Sequence, residues 1–107
     1  METWDLSSLD VQPHQPEVLR SDPEARVIAI NLPAGEGLQE HQVHERAWMV
    51  VASGEVEVEE DGRTVGGGCG FVAHFDPNEP HEVRAKTDSR VILLLAPWPG
   101  EGHPRQR

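Results

Sequence analysis

Residues 47–65, Ala47-Trp48-Met49-Val50-Val51-Ala52-Ser53-Gly54-Glu55-Val56-Glu57-Val58-Glu59-Glu60-Asp61-Gly62-Arg63-Thr64-Val65, hold strand, break and hairpin signals in one run. Ala47–Ala52 is apolar and stops at Ser53-Gly54. Glu55–Glu59 alternates, with Val56 and Val58 on one side and three glutamates on the other, which predicts a half-exposed strand with a charged outer face. Asp61-Gly62 is a two-residue hairpin signal, because such a turn needs positive φ at both central residues. Arg63–Val65 is then expected to pair back. No helical stripe longer than one turn interrupts this pattern.

Outward from this stretch the same punctuation repeats. Glu17–Ser21 is a short strand candidate. Ala25–Leu32 is β-branched and ends at Pro33-Ala34-Gly35. Cys69–Phe75 is mixed apolar, and Pro77-Asn78-Glu79-Pro80 is a turn. Glu82–Lys86 and Arg90–Ala96 are split by Thr87-Asp88-Ser89. Ten glycines and nine prolines are spread along the chain, so they act as punctuation between many short strands and not as a linker. This spacing predicts an all-β sandwich or small barrel. Residues 1–22 are expected to form an arm with the first short strand. Residues 23–97 are expected to form the barrel, and residues 98–107 an extended tail.

The chain has 107 residues, enough for one core. Its formal net charge of −10 argues against nucleic acid and against anionic membranes as partners. The longest apolar run, Val91–Ala96, is far too short to span a bilayer. The start, Met1-Glu2-Thr3-Trp4-Asp5, lacks the basic and apolar regions of a secretory signal, and one cysteine excludes an internal disulfide. A cytoplasmic protein is the expectation. The glycine-rich run around Cys69 opens no helix and so does not read as a phosphate loop. It also supplies no charge to activate the thiol.

Six histidines are the chemical signal. His14 and His103 fall in the terminal segments. His41, His44, His74 and His81 fall in the strand region, with Glu45 beside His44 and Glu82 beside His81. Imidazole is the commonest transition-metal ligand, and carboxylates complete such sites. His41 and His81 are 40 residues apart, so only the pairing of distant strands can unite them. In an ideal strand Glu45 shares a side with His41, whereas His44 faces the other way. Arg46 and Arg84 are candidate anion donors, but ion pairs in an acid-rich chain explain them as well. Trp48, Met49, Phe71 and Phe75 are available to fill the barrel or line its mouth. Trp98 has the same two roles open to it, as a cap on the barrel or a contact for a partner chain.

Residues 33–97 resemble a small single-domain cupin of the conserved-barrel type. In the first motif Gly35 is followed after five residues by His41, and Val50-Val51-Ala52-Ser53-Gly54-Glu55-Val56 is similar to the family's strand–glycine–glutamate hairpin. In the second, Gly70 and His81 hold the family separation, with Asp76 and Asn78 in the proline and glycine slots. Aligned from Gly54, the family's second histidine falls on Val43 and its glutamate on Ala47. The resemblance implies an antiparallel double-stranded β-helix, or jelly-roll barrel. It also implies a divalent transition metal (zinc, iron, manganese, nickel or copper) and a small-molecule ligand. His41 and His81 keep family ligand positions, and His44, Glu45 and His74 are the neighbours available to complete a set. An oxygenase or isomerase is the implied activity. Metal-free binding or sensing of a small ligand is the alternative, and a homodimer is implied in both cases.

Overall fold

The computed structural model describes the backbone of residues 1–41 and 43–104, and the side chains of the same residues except 39–41. Among the described residues nine strands follow in chain order. They are β1 (Glu17–Ser21), β2 (Arg26–Leu32), β3 (Gly37–His41), β4 (Arg46–Ser53), β5 (Val56–Glu60), β6 (Arg63–Gly67), β7 (Val72–Phe75), β8 (His81–Ala85) and β9 (Ser89–Ala96). They form a five-stranded sheet of order β1-β2-β9-β4-β7 and a four-stranded sheet of order β3-β8-β5-β6. All pairings are antiparallel. From β2 onward the chain passes back and forth between the sheets, apart from the β5–β6 hairpin, which is the winding of a double-stranded β-helix.

Strand parity builds the core. In β4, Ala47, Met49 and Val51 are buried, whereas Arg46, Trp48 and Val50 are exposed. In β5, Val56 and Val58 are buried, and in β8, His81, Val83 and Ala85. Ile30, Leu32, Phe75, Val91 and Leu95 complete the inner layer. Each sheet thus contributes its inward residues to one shared core.

The predicted turn at Asp61-Gly62 is present, with φ of 51° and 74°, and it joins Glu60 to Arg63 in register. Gly54 makes the crossing from one sheet to the other. Its φ is 83°, and a side chain there would meet the Asp88 carbonyl oxygen and Ser89 Oγ at 2.3 Å. Buried Ser89 holds the same corner, with Oγ 2.7 Å from the Thr87 carbonyl and 3.1 Å from that of Glu55.

One strand has no counterpart in the sequence reading. β3 contains a single apolar residue, Leu38, and lies at a sheet edge, so it carries no alternating pattern. Gly37 lets it approach β8, because a Cβ at that position would lie 2.0 Å from the Val83 carbonyl oxygen. The N-terminal arm lies along the five-stranded sheet. Asn31 donates to the Val11 carbonyl at 3.0 Å, and Arg90 donates to the carbonyls of Leu9, at 2.6 Å, and Leu6. β1, within the arm, forms the edge of that sheet.

Candidate functional site

His81 opens β8 and is buried to 4% exposure. Its Nδ1 lies 3.0 Å from the Glu79 carbonyl oxygen. A carbonyl only accepts, so Nδ1 carries the proton, and in the neutral ring Nε2 carries the lone pair. The ring stacks flat on Phe75, with centroids 3.7 Å apart and planes within 4°. Phe75 is set opposite Ala47 in the β4–β7 ladder. The backbone of position 41 is the register partner of position 81 across β3 and β8. The side chain of His41, a predicted ligand, lies outside the described residues.

Glu45 immediately precedes β4 and is 1% exposed, so it shares the inward side with Ala47 and Met49. Its Oε2 accepts the Gly100 amide hydrogen at 2.7 Å. His44 turns the other way, and its ring meets His103 edge-on at 5.7 Å. His74 is the register partner of Trp48, which points outward, and the two rings lie 4.5 Å apart. The His74 Nε2 accepts from the Arg46 guanidinium at 3.1 Å, and the same Arg46 nitrogen donates to Asp76 at 2.7 Å. The four predicted ligands with described side chains therefore separate. His81 and Glu45 are inside, His44 faces the C-terminal segment, and His74 belongs to an outer polar cluster.

The positions that the resemblance aligned with the missing ligands are apolar in their surroundings as well as in identity. Ala47 is buried opposite Phe75 and Leu95, and Val43 packs on the core. Among the described residues no three histidine, cysteine, aspartate or glutamate side chains converge. A metal site usually draws on three or more protein donors. The described inward donors are two, and one of them is engaged by Gly100, so they do not by themselves fit a metal ion.

A second feature arises from the sheet order alone. β6 and β7 are each one edge of a sheet, and between them lies a groove of about 600 Å³. Val58, Phe71, Ala73 and Phe75 form its apolar wall, and Glu60, Asp61 and Arg63 stand at its polar side. Phe71 and Phe75 were candidates for a pocket mouth on composition. Nothing local marks Val58, Ala73 and Arg63 as lining one groove, since their common position depends on which strands end the sheets. The groove borders an acidic group. Loss of hydration, and then a hydrogen bond to Glu79, push the Glu60 carboxyl above its usual range, with the charges of Glu79, Asp61 and Asp76 adding to the effect.

The family model described as "Cupin domain" matches residues 28–97. Among solved structures, an RmlC-like cupin protein from Desulfovibrio desulfuricans is 26% identical, with a TM-score of 0.81 over 91% of this chain and 97% of that one. KdgF from a Halomonas species is 25% identical, with a TM-score of 0.71 over 83% of this chain and 85% of that one. A Klebsiella pneumoniae protein with a double-stranded β-helix domain is 19% identical, with a TM-score of 0.78 over 91% of this chain and 90% of that one, a likeness of fold. No curated protein matches the chain. The winding of the strands, the Gly35–His41 and Gly70–His81 spacings and the family match agree: this chain belongs to the cupin domain family.

Proposed function

We propose that this cupin barrel binds a small, partly apolar molecule that enters the seam between β6 and β7 and stops against Phe75. The observation that supports this is the groove itself, about 600 Å³, apolar along Val58, Phe71, Ala73 and Phe75 and polar at its side. Ligand sites are commonly apolar concavities with a few polar groups that orient the guest. Phe75 also stacks on His81, so a guest against Phe75 lies one ring away from a buried imidazole.

The test is a thermal-shift panel of small carboxylic acids, polyols and aromatic acids. A compound at ten times its Kd is expected to raise Tm by about 5 °C or more in a chain of this length. Ala73→Trp, which fills the groove, is expected to abolish that shift. A panel without a shift up to about 10 mM, or a shift that survives Ala73→Trp, overturns the proposal.

Metal binding with oxygenase or isomerase chemistry is a second reading, supported by one specific observation. The Glu79 carbonyl holds Nδ1–H of His81, the arrangement by which an imidazole is set to present Nε2 to a metal, and His41 is the backbone partner across the ladder. One equivalent of zinc or iron retained by the untagged protein and lost in His81→Ala supports it. Less than about a tenth of an equivalent, with no uptake on titration, overturns it.

A homodimer belongs to the same proposal. Its support is the outer face of the five-stranded sheet, where Trp48, Val50 and Val72 are 44%, 37% and 52% exposed. A cytoplasmic location is supported by the single, exposed thiol of Cys69, which suits a reducing compartment.

A further inference from the structure

The segment Pro97–His103 folds back over the barrel instead of leaving it. Trp98 packs against the core, its amide donates to the Pro23 carbonyl at 3.1 Å, and the Arg26 guanidinium lies 4.0 Å over its ring. The His103 amide donates to the Gly100 carbonyl at 3.0 Å, and the His103 ring lies 4.7 Å from that of Trp98. Between these anchors, buried Gly100 sits on the backbone of His44, and a Cβ there would lie 2.3 Å from the His44 carbonyl oxygen. Its amide donates to Glu45 at 2.7 Å.

A buried carboxylate is costly unless it accepts hydrogen bonds. Glu45 takes one from a segment 55 residues away that belongs to no sheet. If the segment lifts, Glu45 loses that donor, and water or another donor must replace it. Segments outside the sheets open at lower free energy than the strands they cover.

We propose that Pro97–His103 is a strap latched on Glu45, and that its opening controls access from solvent to this buried carboxylate. Glu45 is thereby a positioning residue for the chain's own C-terminal segment. No residue of the strap lines the β6–β7 groove.

Labelling of carboxyl groups with a carbodiimide and glycinamide, read by mass spectrometry, tests the gate on the full chain. Amide exchange at Gly100 and His103 reports the latch. In the wild type, Glu45 is expected to label at least about tenfold more slowly than exposed Glu59, with the Gly100 amide protected. Gly100→Ala, which cannot seat against His44, is expected to raise Glu45 labelling at least about fivefold, with Glu59 labelling and the amides of β4 and β9 unchanged. Glu45→Ala is expected to release the Gly100 and His103 amides together. A chain ended after Pro99 keeps the Trp98 anchor and serves as a second opened form. Glu45 as slow in Gly100→Ala and in the shortened chain as in the wild type overturns the gate, because the barrel alone then seals it. Wild-type Glu45 labelled at the Glu59 rate, or Gly100 still protected in Glu45→Ala, overturns it as well.

Discussion

Glu60 ends β5 in a group of acids, with Glu79, Asp61 and Asp76 around it. Burial first, and then Glu79, favour its protonated form. A carboxyl raised above its unfolded value contributes stability that is complete below that value and is lost as pH rises through the folded pKa. Glu60 is thus a destabilising charge at neutral pH. Glu60→Gln is expected to melt higher than the wild type at about pH 7, with the difference vanishing near pH 4. Melting curves over that range check the sign, and a variant that melts lower at neutral pH contradicts it.

At the scale of elements, two glycines with nearly the same φ do different work. Gly62, at φ 74°, sits in the β5–β6 turn, and a Cβ there would have nothing within 4 Å. Gly54, at φ 83°, carries the chain between sheets, and a Cβ there would meet Asp88 and Ser89 at 2.3 Å. Gly62→Ala is expected to cost about 1–2 kcal/mol, the left-handed backbone penalty alone. Gly54→Ala adds a clash with backbone and is expected to cost about 3–5 kcal/mol. Urea unfolding with unchanged m-values checks this order. Equal costs for the two variants contradict the packing account.

For the whole molecule, the two sheets differ in their outer faces. The four-stranded sheet turns Glu59 and Arg84 to solvent, with Glu57 and Glu82 half-buried beside them. The five-stranded sheet turns out Trp48, Val50 and Val72, and the N-terminal arm crosses it at Asn31 and Arg90. The uncovered part is the surface on which the proposed homodimer would form. Trp98, the other candidate for such a contact, is engaged by the core and by Arg26 of its own chain. Light scattering of the 11.9 kDa chain is expected to give twice that mass in the wild type and the single mass in Trp48→Glu. The melting point of the isolated chain is expected to change little, since Trp48 lies outside the core. A wild-type monomer at micromolar concentration contradicts the dimer.

Much of the barrel was legible because strands and tight turns leave marks in adjacent residues. Val56 and Val58 alternate with glutamates, and Asp61-Gly62 turns as its chemistry requires. Parity also separated Glu45 from His44. β3 was illegible because an edge strand with one apolar residue carries no alternation. His74 is a candidate ligand by residue type, yet its register opposite Trp48 turns it outward. The sequence by itself determined an all-β barrel, since period-two burial and turn chemistry are properties of neighbouring residues. Only the tertiary structure decided that Glu45 would meet Gly100 and that β6 and β7 would leave a groove between them. Those features depend on which distant strands pair and which end the sheets, and no local pattern encodes that choice.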